Sequence, residues 1–272
     1  MKDYKVIGND RVPAIGFGTW GIGGKTYPDT SRDYEMVKVI EFAINSGLSL
    51  VDTAEFYGQG HTEELVGRAV REVGRDRVFV ISKVWHTNLE RDKLIRSAEG
   101  SLRRLDLSYI DLYLIHWPNE SVPLRESLSA MQKLIDDGKI RYAGVSNFDL
   151  DLLKRAREEM PRSEIVADEV RYSLLHRGPE RDLLPYCRQE KIALIAYTPL
   201  EKGLVSKDDY LRKIGEKYNK TASQVALNWL LLNDALPIPK SEKMEHIKEN
   251  AGAMGWRLSQ EDFNAISKKY QY

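Results

Sequence analysis

With one cysteine, Cys187, in 272 residues, the chain can form no internal disulfide, and a reducing compartment is expected. No apolar run approaches the roughly 18 residues that a spanning helix needs. The opening MKDYKVIGNDRVPAIG puts charges where a signal peptide carries its apolar stretch, so a cytoplasmic location away from membranes is expected. Neither sign of charge is in excess. Lys+Arg and Asp+Glu are each 41, which argues against a nucleic-acid-binding surface and against an acidic disordered chain. A metal-ligand set is lacking too: His61, His86 and His176 have no i, i+4 or carboxylate-flanked spacing and read as surface or loop residues. Linkers, low-complexity tracts and charge blocks are absent from the sequence, so residues 1–272 are expected to form one domain.

What is present is a rhythm. Short β-branched runs recur at 14–18, 48–54, 78–84, 110–116, 141–147, 165–172, 192–198 and 235–240, and most read as nearly continuous apolar stretches. Amphipathic helical patterns alternate with them, at 33–47, 61–74, 89–105 and 221–232, the last opening on Thr221 as a candidate N-cap. Alternating strand and helix implies parallel strands with right-handed crossovers. Eight such units in a chain near the usual barrel length of about 250 residues point to a (β/α)8 TIM barrel; an open doubly wound sheet is the runner-up. Residues 5–15 read as an N-terminal hairpin turning at GND, placed as a plug at one end. LSQEDFNAISKKYQY reads as a short C-terminal helical extension.

A parallel barrel gathers its chemistry at the C-terminal ends of its strands. There the sequence places Asp52, followed by Tyr57, then Lys83, His116, Ser146-Asn147, Asp168-Glu169 and Tyr197. Any one of these has an ordinary structural explanation, such as a cap, a loop ring or a packed histidine. Taken together they recur once per βα unit and converge on one pocket. A phenol beside a buried ammonium is made more acidic, an aspartate fixes the ammonium, and a histidine can hydrogen-bond a carbonyl oxygen. Such a group polarises an aldehyde or ketone and protonates the alkoxide. With no metal set, nicotinamide is the natural hydride source.

These residues lie in motifs that resemble the aldo-keto reductases over nearly the whole chain: GFGTW (16–20), VDTAEFYGQGHTEELVGRAV (51–70), SKVW (82–85), LDLSYIDLYLIHWP (105–118), GKIRYAGVSNF (138–148), AYTPLEKG (196–203) and IPKSEKMEHIKEN (238–250). The resemblance implies a catalytic tetrad of Asp52, Tyr57, Lys83 and His116, with Tyr57 as general acid in reduction. It implies NADPH as cofactor, with NADH possible, and a small carbonyl compound as substrate. Tyr197, Thr198 and Leu200 would lie along the nicotinamide, with Ser146, Asn147 and Glu169 at its carboxamide. Gly18, Thr19 and Trp20 would sit near cofactor and substrate; Trp20, Trp85 and Trp117 would line the substrate pocket. Lys240, Ser241, Lys243 and His246 would meet the adenosine phosphate, and Glu249 and Asn250 the adenine. A monomer is the default. A long loop closing the substrate pocket is not expected, which implies an open pocket with broad specificity.

Two departures from the family pattern bear on the cofactor. Glu169 stands where glutamine is common, and an ionised glutamate accepts hydrogen bonds without donating them. His246 stands where arginine usually meets the 2′-phosphate, leaving Lys240 and Lys243 to compensate. Two look-alike motifs are set aside. GFGTWG matches a dinucleotide fingerprint in letters, but GIGGKTYPD behind it cannot be the required helix. GGKT at 23–26 lacks the earlier glycine of a P-loop. Arg103-Arg104 reads as a solvated helix face, Cys187 as a small core residue and Trp229 as core. The alternative functions are a nicotinamide-binding regulatory or redox-sensing subunit and, less favoured, a TIM-barrel enzyme of phosphorylated substrates.

Overall fold

The computed structural model describes residues 3–271. The chain opens with an antiparallel hairpin, β1 (Tyr4–Ile7) and β2 (Asp10–Pro13), in which Ile7 faces Asp10 across the two-residue turn Gly8-Asn9. Gly8 sits at φ +58, and a Cβ there would meet the Tyr142 ring at 2.3 Å, so the turn needs glycine on both counts.

Eight strands follow: β3 (Phe17–Gly18), β4 (Leu50–Asp52), β5 (Phe79–Val84), β6 (Ile110–Ile115), β7 (Ile140–Ser146), β8 (Ile165–Arg171), β9 (Ala193–Tyr197) and β10 (Leu236–Pro237). Each pairs in parallel with the next. The ring closes where the Gly16 N–H donates to the Pro237 carbonyl at 3.0 Å and the Gly18 N–H to the Pro239 carbonyl at 3.2 Å. All eight expected strands are present. The first and last are shorter than the sequence suggests, because Pro237 and Pro239 have no N–H to complete a two-way ladder.

Around the ring run α1 (Asp33–Asn45), α2 (His61–Val73), α3 (Arg91–Leu105), α4 (Leu124–Asp136), α5 (Leu150–Glu159), α6 (Leu183–Glu190), α7 (Asp209–Glu216), α8 (Ala222–Leu232) and α9 (Met244–Ala251). The C-terminal extension is α10 (Gln260–Lys269). Thr221 does cap α8: its hydroxyl accepts from the Gln224 N–H, and the Gln224 side chain accepts from the Thr221 N–H.

The alternation of side chains along each strand separates two cores. Outward residues such as Val51, Val80, Tyr113 and Leu194 pack under the helices with Ile40, Leu65 and Trp229. Inward residues, Leu50, Phe79, Ile81, Leu112, Leu114, Ile195, Leu236 and Ile238, fill the barrel. Ile7 and Val12 of the hairpin join that inner cluster, so the hairpin plugs the barrel's N-terminal end as expected. At the other end the same inward period reaches Asp52, Lys83, His116, Ser146, Glu169 and Tyr197, and the interior turns from apolar to polar.

Candidate active site

Lys83 lies at the base of the polar end with no exposed surface. An ammonium in that position must be paired, and it is. It forms an ion pair with Asp52, donates to the Thr53 carbonyl at 3.1 Å and to the Tyr57 hydroxyl at 3.2 Å, and lies 3.5 Å from Glu169 Oε1. Tyr57 comes from the tight loop after β4. That loop is pinned by the Gly58 N–H, which donates to the Lys25 carbonyl at 2.6 Å. Thr19 is buried and its hydroxyl donates to the Asp52 carbonyl at 2.7 Å, so it braces the strand end and does not face the groove.

Aromatic rings build one wall. Phe56 stacks on Trp85 at 3.9 Å between centroids and on Trp20 at 6.0 Å. The His116 ring meets Tyr57 and Trp85 edge-on, at 5.7 and 5.1 Å. Burial, with some help from the Lys83 charge, pushes His116 down to about 2, so its imidazole is neutral and one ring nitrogen carries a hydrogen. Burial works against the Lys83 ammonium, but the Asp52 charge carries its proton affinity upward overall.

Tyr57 corrects an expectation from the sequence. Lys83 does pull its proton affinity down, but burial, aided by the Asp52 charge, outweighs that pull and raises it above the ordinary phenol value. The phenol is therefore held firmly neutral. The sequence shows the lysine as a neighbour but cannot show how completely the ring is removed from water.

From this floor a groove of about 840 Å³ runs along the mouth of the barrel. It collects Gly18, Trp20, Trp85, Trp117, Ser146, Asn147, Glu169, Tyr197, Thr198 and Leu200 near Tyr57, and Lys240, Ser241, His246, Glu249 and Asn250 toward the other end. Asn147 and Thr198 hold left-handed backbone at φ 61 and 53, a strained state for non-glycine residues and one typical of functional loops. The Asn147 amide donates to the His116 carbonyl and Ser146 Oγ, each at 3.0 Å, and accepts from the Tyr197 hydroxyl at 2.8 Å. The Ser146 hydroxyl donates to the Glu169 carbonyl at 2.8 Å. Lys243 is exposed at the start of α9 and does not line the groove; its N–H donates to Ser241 Oγ at 3.0 Å. Lys240 is held by Glu242 at 2.6 Å, and Glu242 also meets Arg32 at 2.8 Å.

Other residues line the groove without having been expected there. Phe56, Lys25, Lys202 and Ser206 are the most telling. Lys25 lies in the GGKT stretch set aside as a false P-loop, so the loop does face the groove, though not as a helix-opening phosphate cradle. Two further readings change. Arg104 is only partly exposed and binds the fully buried Glu63 at 2.7 Å. His61 is buried between Asp33 at 2.7 Å and Glu64 at 3.0 Å. Asp168, next to Glu169, points outward into the helix layer near Cys187. Among the described residues no cluster of His, Cys, Asp and Glu has the makings of a metal site, and no helix is long and apolar enough to cross a membrane.

Similar proteins bear on what this groove takes. The model of the Aldo/keto reductase family matches residues 14–271. The methylglyoxal reductase YeaE of Escherichia coli is 37% identical over 277 residues, covering 99% of this chain and 95% of the relative. The glyoxal reductase of Bacillus subtilis is 38% identical over 270 residues, covering 98% and 92%. Among solved structures, the thermostable aldo-keto reductase Tm1743, crystallised with the inhibitor epalrestat, superposes with a TM-score of 0.94 at 46% identity, over 98% of this chain and 99% of that one. An aldo/keto reductase of Klebsiella pneumoniae, in complex with NADP and acetate, gives 0.91 at 35% identity, over 99% and 96%. The chain belongs to the aldo/keto reductase family of NAD(P)H-dependent oxidoreductases.

Proposed function

We propose that the protein uses NADPH to reduce small aldehydes and ketones, with 2-oxoaldehydes of the glyoxal and methylglyoxal kind as its substrate class. The observation that carries this reading is the Tyr57 hydroxyl, 3.2 Å from the buried Lys83 ammonium, at the floor of a groove of about 840 Å³. The names of the relatives, methylglyoxal reductase and glyoxal reductase, support the substrate class.

Tyr197, which lines the groove, would hold a reduced nicotinamide, and that group would supply the hydride when bound. The protein's own residues handle the proton and the charge. Tyr57 keeps its proton until an alkoxide forms against it, then donates from Oη. The phenolate left behind faces the Lys83 ammonium, so the charge created by the reaction is met by one already in place. Asp52 holds that ammonium and needs no movement to do so. His116, neutral, donates to the carbonyl oxygen and aims it at Tyr57. Trp20, Phe56, Trp85 and Trp117 form an apolar rim that favours the reacting carbonyl over water. At the far end, Ser241, His246, Glu249 and Asn250 receive the adenosine portion.

The test is consumption of NADPH with methylglyoxal by the wild-type protein and by Tyr57→Phe. The variant should lose roughly 10²–10⁴-fold in kcat, the usual share of a positioned general acid, while still binding NADPH. Turnover by Tyr57→Phe within a few-fold of wild type would remove Tyr57 from the chemistry.

A further inference from the structure

The floor of the groove holds more carboxyl groups than the reduction needs. Asp52 and Glu169 are each 2% exposed, and the one cation within ion-pair distance of either, among the described residues, is Lys83. Asp52 takes the close contact and Glu169 stands off at 3.5 Å, so two buried carboxyls share a single ammonium. The other titratable groups facing them are uncharged: Tyr57 from the loop after β4, His116 at the end of β6 and Tyr197 on β9. Arg171, two residues along β8, is committed to Glu201 at 2.5 Å. Two carboxyls buried together against one ammonium do not both ionise.

The hydrogen bonds around Ser146 and Asn147 point the same way. Both hydrogens of the Asn147 amide, the Ser146 hydroxyl and the Tyr197 hydroxyl already have partners within the protein. Glu169 Oε2 is buried, belongs to a residue lining the groove, and has no partner.

We propose that Glu169 carries a proton as a neutral carboxylic acid, and that its Oε2–H donates to the carboxamide oxygen of the nicotinamide. The second half rests on the NADPH reading above. A neutral acid offers one donor and one acceptor side, as a side-chain amide would, whereas an ionised carboxylate offers acceptors alone. Burial, with the nearby Asp52 charge, moves Glu169 well above the ordinary carboxyl range, in agreement with this arrangement. The proton also spares Tyr57 a second negative neighbour, so that Lys83 and Asp52 alone set the charge around the phenolate.

Two measurements test it. Infrared spectra of cofactor-free protein carrying labelled glutamate should show a protonated-acid carbonyl band at neutral pH that disappears in Glu169→Gln. NADPH affinity of the wild type, read by fluorescence titration, should fall about tenfold as rising pH ionises the acid, the worth of one buried hydrogen bond, and should stay level in Glu169→Gln. A wild-type spectrum without the band, or an alkaline fall shared in full by the variant, overturns the proposal. If the variant does not fold, the wild type decides alone: band and affinity lost together support the proposal, and affinity lost while the band persists overturns it. A clear acid band with no NADPH binding at any pH overturns the donor role and the cofactor reading while leaving the protonated carboxyl in place.

Discussion

Lys83 shows how one side chain carries both stability and chemistry. Its ammonium is the close cationic partner of Asp52, a carboxyl that is itself 2% exposed. Lys83→Met should therefore cost about 3 kcal/mol in urea unfolding, because it leaves a buried charge without its counter-ion. Adding Asp52→Asn should return part of that loss without returning activity. A single variant as stable as wild type would show that the pair is not buried as described. The identity of these residues was legible in the sequence, because each polar residue ends an apolar run and the runs repeat. Their proton affinities were not. Whether Tyr57 is more or less acidic than a free phenol depends on how fully the ring leaves water, and the fate of Glu169 depends on a carboxyl 117 positions away in the chain at Asp52. Long-range pairs were lost for the same reason: Arg104 with Glu63, and His61 with Asp33, are contacts no local pattern displays. Phe56 was missed because it sits in an irregular loop, where neither a period of two nor one of 3.6 marks its direction.

Among the elements, the ones with strong periodicity were read to within a few residues. The helix expected over 33–47 is Asp33–Asn45, and that over 221–232 is Ala222–Leu232. Thr221 links such an element to the site. Its hydroxyl caps α8 and also donates to Glu249 at 2.5 Å, and Glu249 lines the groove. Thr221→Ala should thus lower stability by about 1 kcal/mol, as loss of an N-cap does, and should weaken NADPH binding while leaving kcat at saturation unchanged. Thermal unfolding and a fluorescence titration of the same variant separate the two effects. Unchanged affinity would mean that Glu249 does not depend on its tether. Loop geometry was the least legible: Asn147, Thr198 and Lys202 adopt positive φ at the groove, and nothing in their residue types demands it.

At the scale of the whole molecule, the first and last βα units are tied across the ring by charge. Glu242, in the loop after β10, holds Arg32 at the start of α1 and Lys240 at the mouth of the groove. A nucleotide phosphate arriving there has to share Lys240 with a carboxylate. Glu242→Gln should free that ammonium and tighten NADPH several-fold relative to NADH, an effect that shrinks with added salt. Titration of both nucleotides at low and high ionic strength checks this. A variant whose preference between the two nucleotides is unchanged would place the 2′-phosphate away from Lys240.

The closure of the ring by Gly16 and Gly18 also explains why GFGTWG imitates a nucleotide-binding signature. A Cβ on Gly16 would strike the Leu50 side chain at 2.5 Å and that of Ile238 at 2.9 Å, and one on Gly18 would reach the Ile238 carbonyl at 2.8 Å. These two positions are bare so that the first strand can lie flush against the eighth, whose prolines can only accept. The glycines serve masonry here, not ligand approach: the same letters that let a pyrophosphate near a backbone in one architecture let two walls meet in this one.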